Sequence, residues 1–388
     1  MTTFNEELTR ARAALAAADC DIAVLSSIAN VTYVSGFEVP HAVGVGGAVP
    51  YAAPFAVVTV RGAATWLAAS VFHTAQAKRE SRLDQLLCFA AFDSFEATDV
   101  RGTYLDALRV ALTQAGLKTT GRLGIEGRAL PYGAAAFLSE HFPQVKLIEV
   151  DEALQTTRLI KTAREIELLR RAAQIADVGH HTLAQLSQTA GRNEFDMYAE
   201  ICARMQRAAG REIPVVGELV TGHRTTLVNY PGGPRDRLTE PGDAALMDIS
   251  QRIDGYWSDC TNTHVIGGLT PSDHQKKYAR ATQAVLDAAV DMLRPGKRAS
   301  EVWAAANAVY EKHGLEMPHY VGHQIGASVN ELPRLVPYDD TPIQAGMVFA
   351  VEPGAYEGPG GTFGARSEKM VLVTASGPEI LSQFEWGI

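Results

Sequence analysis

Ala244–Thr263, AALMDISQRIDGYWSDCTNT, carries two aspartates, Asp248 and Asp259, on either side of an Asp-Gly pair. Asp-Gly between apolar runs signals a two-residue hairpin, because both central positions of such a turn take positive φ. With Asp254 and Gly255 as the loop, Ile253 pairs with Tyr256 and Ser250 falls opposite Asp259. Residues two apart on a strand share a face, so Asp248 lies diagonal to Asp259 on that face. Two carboxylates so placed repel each other unless something cationic sits between them, and a pair of divalent metals is one solution. The other reading makes Asp254 and Asp259 ordinary turn and edge residues. The hairpin by itself leaves both open.

Farther along come His319-Tyr-Val-Gly-His323-Gln-Ile-Gly326, Gly346-Met-Val-Phe-Ala-Val-Glu352-Pro-Gly354 and Gly364-Ala-Arg366-Ser-Glu368. With the two aspartates, in this order over about 120 residues, they resemble the pita-bread metallohydrolases, which include methionine aminopeptidase, aminopeptidase P, prolidase and creatinase. The resemblance implies that Asp248, Asp259, His323, Glu352 and Glu368 bind two divalent metal ions. Four carboxylates and one imidazole make a hard, oxygen-rich donor set. It favours Mn²⁺, with Fe²⁺, Co²⁺ or Zn²⁺ as alternatives, over a thiolate-rich structural zinc site. Such an ion pair can hold a bridging water, lower its pKa and polarise a carbonyl. By the same resemblance Glu352 is the general acid/base. Arg366 shares a strand face with Glu368 and is expected to orient a ligand carboxylate; a surface salt bridge is its other reading. His319, four residues before His323, is expected to line the pocket, a satisfied core histidine being the alternative.

Two positions depart from the family's peptidases, which carry histidine before a tyrosine upstream of the first Asp, and again seven residues after the metal-binding His. Here these positions are Asn229, followed by Tyr230, and Asn330, in Asn330-Glu-Leu-Pro333. Asn229, Tyr230 and Asn330 are therefore expected to bind the substrate. Asparagine donates a hydrogen bond but carries no proton near neutral pH, so both are expected to select against efficient proline-peptide cleavage. His223, His264 or His319 taking over the missing role is the alternative. Thr261-Asn-Thr-His264 differs too, from the family's T-R-T followed by an aromatic, and is read with the asparagines as an altered substrate shell beside an intact metal shell.

These residues need strands and helices to hold them. A chain of 388 residues predicts two or three domains, each with its own core. Thr3 and Glu6 have capping-box spacing ahead of an amphipathic helix with Leu8 and Leu15 on one face. Asp21–Ser27 reads as a buried strand, and the Asn-x-x-Tyr-x-x-Gly-Phe stretch ending at Phe37 resembles the N-terminal domain of the creatinase and prolidase branch. Val39–Pro54 reads as a loop, and helices and strands alternate from Phe55 to Val150. Thr162 and Glu165 repeat the capping-box spacing before a long helix. Further helices are expected at Glu194–Ala208, Ser272–Leu293 and Glu301–His313, stopped by Gly210, Pro295-Gly296 and Gly314. The expected class is α/β (α+β): a creatinase-like mixed-sheet domain over 1–155, then a pita-bread domain over 156–388.

The net charge of −9, with no Lys/Arg run as a local exception, argues against a nucleic-acid partner. No apolar run reaches the roughly 18 residues of a membrane span, and the charged first residues do not read as a signal peptide. Cys20, Cys88, Cys202 and Cys260 are widely spaced, which fits a reducing cytoplasm. The resemblance implies a homodimer and a metal-dependent hydrolase of amide-like C–N bonds, acting by default on Xaa-Pro peptides. The alternatives are a creatinase- or ectoine-hydrolase-like enzyme or lyase on a small nitrogenous metabolite, and a non-catalytic binding protein.

Overall fold

Ile22–Leu25 (β1) is apolar at all four positions and buried on both faces, which places it inside a layered sheet rather than at a surface. The computed structural model describes residues 5–40, 51–228 and 232–388. The chain divides into two units, Met1–Arg158 and Leu159–Ile388.

In the first unit β1 is followed by β2 (Phe55–Thr59), β3 (Thr65–Ser70), β4 (Gln85–Phe89), β5 (Arg122–Ile125) and β6 (Lys146–Glu149). Their order in the sheet is β4-β3-β2-β1-β5-β6. β1 runs antiparallel to β2 and parallel to β5, so the sheet is mixed, as expected. Among the described residues its α-helices are α1 (Glu6–Ala17), α2 (Ile28–Ser35), α3 (Thr74–Glu80), α4 (Val100–Gln114), α5 (Tyr132–His141) and α6 (Asp151–Thr157). Alternation divides β1 between two cores: Ala23 and Leu25 pack with Leu8, Leu15 and Val34, whereas Ile22 and Val24 pack with Tyr104, Leu108 and Ala134. Asn5 caps α1, its side chain accepting from the Leu8 N–H. Thr3, expected as the cap, lies outside the described residues, as do positions 41–50 of the expected loop. The Asn-x-x-Tyr-x-x-Gly-Phe stretch contributes most of α2, which ends on Gly36 at φ 72°.

The second unit opens with α7 (Ala163–Leu186), headed by the predicted Thr162–Glu165 capping box. Next come α8 (Glu194–Ala209), stopped at Gly210, and the antiparallel strands β7 (Val215–Thr221), β8 (Ala244–Ile253) and β9 (Tyr256–Val265). α9 (Asp273–Met292) begins with a Ser272–Gln275 capping box, and α10 (Ala299–Lys312) follows. The remaining strands are β10 (Gly322–Gln324), β11 (Glu331–Arg334), β12 (Val348–Val351), β13 (Gly354–Tyr356), β14 (Gly364–Arg366), β15 (Lys369–Thr374) and β16 (Gly377–Ile380). Five of them order as β11-β10-β12-β15-β16, and β13 pairs with β14. Each larger sheet is covered on one face by a helix pair. Side chains of α7 and α8 pack on Leu219, Met247 and Ile249; those of α9 and α10 pack on Phe349, Val351, Val371 and Val373. The opposite faces of the same strands are left for polar side chains, and there the expected site residues gather.

Candidate metal centre

The β8–β9 turn has the predicted conformation, with Asp254 at φ 50° and Gly255 at φ 87°. Ile253 pairs with Tyr256, Ser250 with Asp259 and Asp248 with Thr261, so the two aspartates are diagonal neighbours on one face. Arg171 and Arg211 donate to the Asp254 carboxylate at 2.7 and 3.2 Å and hold the turn. His323 comes from β10, Glu352 follows β12 and Glu368 joins β14 to β15.

A cavity of about 390 Å³ is lined by Asp248, Asp259, His319, His323, Asn330, Glu352 and Arg366, among others. Glu368 is buried, and its carboxylate, a carboxylate oxygen of Asp259 and a ring nitrogen of His323 lie within 4.8 Å of one another. His323 Nε2 is 3.3 Å from Glu352 Oε1 and 3.5 Å from Asp259 Oδ2. Its Nδ1 is 2.9 Å from the Gln324 carbonyl oxygen, which can only accept, so Nδ1 carries a proton and Nε2 faces the carboxylates. Burial opposes the imidazolium, but hydrogen bonds to Asp259 and Glu352 and their charges outweigh it and raise the His323 pKa to about 10.

Arg366 Nη2 donates to Asp248 Oδ2 at 2.7 Å and to Glu218 Oε2 at 2.5 Å. Its Nε donates to Thr261 Oγ1 and its Nη1 to the Tyr356 hydroxyl, so it is locked on three sides. This excludes the surface salt bridge. Thr261 Oγ1 also donates to Glu368 Oε2 at 2.6 Å. Asp248 Oδ1, Glu218 Oε1 and Glu368 Oε1 are buried without a hydrogen-bond partner among the described residues. Burial raises the Asp248 carboxyl well above the usual range; Arg366 opposes the rise and Asp259 and Glu352 add to it. Burial likewise raises Glu368, reinforced by Asp259, Asp248 and Glu352. Glu218, Asp248, Asp259, Glu352 and Glu368 together outnumber the cations beside them, Arg366 and His323. Such a cluster must either take up protons or hold cations. Unpartnered carboxylate oxygens and an inward-facing imidazole, with no thiolate, fit divalent metal ions.

His319 reaches the cavity wall, with Nδ1 2.8 Å from the Tyr320 carbonyl oxygen and Nε2 3.4 Å from the Tyr356 hydroxyl. Burial lowers its pKa, so the ring is neutral at pH 7. Asn330 lines the same cavity, its Oδ1 accepting from Arg334 Nε and Nη2 at 3.3 and 3.2 Å. Asn229 and Tyr230 lie outside the described residues. Asn262 and His264 correct the reading that grouped them with the substrate residues. They alternate with Thr261 and Thr263, so they face away from the cavity, toward Glu385 and Gly387. His223 is exposed on the short helical turn Gly222–Thr226.

Glu218 and Tyr356 were missed. Glu218 is a lone carboxylate inside the apolar run of β7, directly opposite Asp248, and that isolation was its signal. Beside it Gly217 sits at φ 139°, where a Cβ would come 2.2 Å from the Asp248 carbonyl oxygen; only glycine permits this approach of β7 to β8.

Residues 167–375 match the family described as Metallopeptidase family M24, and residues 8–160 match the Creatinase/Prolidase N-terminal domain. An Xaa-Pro dipeptidase of Pyrococcus furiosus is 31% identical over 273 residues, covering 69% of this chain and 76% of that protein. The crystal structure of the prolidase from Pyrococcus horikoshii OT3 superposes with a TM-score of 0.78 at 25% identity, covering 98% of this chain and 99% of that one. The N-terminal domain of FACT complex subunit SPT16 from Cicer arietinum (chickpea) superposes with a TM-score of 0.73 at 15% identity, covering 99% and 97%. That last likeness is one of fold alone, and a fold does not specify an activity. The comparisons favour a metallopeptidase over the small-metabolite enzyme and over the non-catalytic binding protein.

Proposed function

The chain belongs to metallopeptidase family M24, and on that premise we propose that it is a dinuclear metal-dependent dipeptidase acting on Xaa-Pro dipeptides. The observation that carries the reading is the carboxylate cluster around His323, which holds buried oxygens without a hydrogen-bond partner among the described residues and borders a cavity of dipeptide size. Asp248, Asp259, His323, Glu352 and Glu368 hold two divalent ions, and the oxygen-rich donor set suits Mn²⁺. When bound, the ions supply Lewis acidity toward the scissile carbonyl and lower the pKa of a water.

Glu352 borders the cavity, accepts the proton of the attacking water and returns it to the leaving nitrogen. Arg366 keeps Asp248 turned toward the cluster and offsets the charge of Glu218. His319, neutral at pH 7, hydrogen-bonds the substrate from the wall. Asn330 donates its amide from the rim, and Asn229 with Tyr230 completes the substrate contacts by resemblance. A cytoplasmic location is supported by the four free thiols. A homodimer is supported by the exposed Val71, Phe72, Phe92 and Phe95 on the first unit.

Elemental analysis and Xaa-Pro turnover of the wild type and Asp259→Asn test this reading. The variant is expected to lose at least one ion and to fall in kcat/KM by about 10³-fold or more. Full metal content with unchanged turnover would refute it.

A further inference from the structure

β9 is buried on both faces, and the two faces have different occupants. Thr261 and Thr263 turn toward the metal centre: Thr261 Oγ1 donates to Glu368 Oε2, and Thr263 Oγ1 donates to the Arg366 carbonyl oxygen at 3.1 Å and accepts its N–H at 3.2 Å. Asn262 and His264 turn the other way. There they meet Leu381–Ile388, a segment with neither helix nor strand. Asn262 Nδ2 donates to the Glu385 carbonyl oxygen at 2.9 Å, and its Oδ1 accepts the Gly387 N–H at 3.2 Å. A Cβ on Gly387 would come 2.4 Å from the His264 ring, so the segment lies flat against the strand.

The same segment grips β15. Lys369 directly follows Glu368; its Nζ donates to the Phe384 carbonyl oxygen and sits 3.3 Å from the centre of the Phe384 ring and 4.6 Å from that of Trp386. From α7, Asp177 Oδ1 accepts the N–H groups of Gln383 and Phe384 at 2.8 and 3.1 Å, and the His180 ring lies 4.1 Å from the Phe384 ring. Thus the segment holds Asn262 and Lys369, the residues directly after Thr261 and Glu368, and Thr261 and Glu368 are hydrogen-bonded to each other in the cluster.

We propose that Leu381–Ile388 is a strap that positions the metal-binding carboxylates, setting the separation of Asp259 on β9 from Glu368 ahead of β15 through Asn262 and Lys369. The inference rests on the dinuclear reading above. Consecutive strand residues share one backbone twist, so a shift of Asn262 or Lys369 on the back face turns Thr261 or Glu368 on the front. Asn262, Lys369 and Phe384 are positioning residues that touch neither ion nor substrate.

Metal titration calorimetry, with melting of the metal-free protein alongside, tests the strap in Phe384→Ala, Asn262→Ala and Phe384→Tyr. The two alanine variants are expected to bind metal about 10-fold to 100-fold more weakly, the scale for removing a group that orients a ligand. Phe384→Tyr keeps the ring over Lys369 and is expected to restore wild-type affinity. If Phe384→Ala does not fold, Asn262→Ala decides, since it removes two strap hydrogen bonds and little volume. Wild-type affinity in the alanine variants, with only a lower metal-free melting temperature, would make the segment merely structural and overturn the strap. A wild type that binds no metal would overturn the dinuclear reading itself and the strap with it.

Discussion

The sheet of the first unit and the β8–β9 hairpin of the second are both deeply buried, with opposite results. In β1, Ile22 and Val24 enter one apolar core and Ala23 and Leu25 the other, so each side chain gains by leaving water. In β8, Met247 and Ile249 do the same beneath α7 and α8, but Asp248 turns toward Asp259 and Glu218. Burying a Leu or Ile side chain contributes about 1.5–3 kcal/mol, whereas burying a carboxylate costs several kcal/mol before any partner is counted. The hairpin is therefore stabilised from one face. The other face carries a load of repelling charge that only ligands or protons relieve.

The largest test of that contrast is at Leu25. Leu25→Ala should lower the unfolding free energy by about 2–5 kcal/mol in denaturant titrations, with metal content unchanged. Its counterpart on the charged face, Asp259→Asn, should leave the metal-free protein at least as stable as the wild type, because one repelling carboxylate is gone. If Asp259→Asn unfolds the metal-free chain, the charged face is not a load and the contrast fails.

His264, on the back face of the same hairpin, sharpens it through pH. Burial lowers its pKa from 6.5 to about 4, so between these values the unfolded chain binds more protons than the folded one. Stability is then full above about pH 6.5 and falls as pH drops toward 4, by about 3 kcal/mol over the window. Burial lowers His180 as well, with the same sign. Thermal melts across this range should slope less steeply in His264→Phe; an identical slope would remove His264 from the account.

The smallest effect belongs to Asn330, on the rim of the cavity. Asn330→His should raise kcat/KM on Xaa-Pro dipeptides about 10-fold, a fraction of what one well-placed donor to the reacting carbonyl contributes. An unchanged value would mean that position 330 does not select the substrate.

The hairpin was legible because Asp254-Gly255 pins its register, and the cluster was legible because Asp248, Asp259, His323, Glu352 and Glu368 sit in recognisable local motifs. Glu218 was signalled only by its isolation in an apolar run, and its place opposite Asp248 was not legible, since only strand pairing brings β7 beside β8 and no local pattern announces that pairing. Asn262 and His264 were placed on the wrong side: their difference from the family was read as altered substrate contact, though period-two alternation from Asp259 already turned them away. The strap left no trace for a different reason. An extended segment held by side chains and single backbone bonds has no periodicity to detect. The capping box at Thr162 was readable because both partners lie within four residues.

The two-residue turn between β8 and β9 has one more consequence, for changes in chain length. Inserting a single residue between Asp248 and Asp254 would send Asp248 into the apolar layer under α7 and α8 and push a methionine or isoleucine into the cavity. Inserting two would restore the faces but carry Asp248 out of its place opposite Glu218. Parity and count are thus both constrained here: the number of residues separating the two aspartates matters as much as their being aspartates.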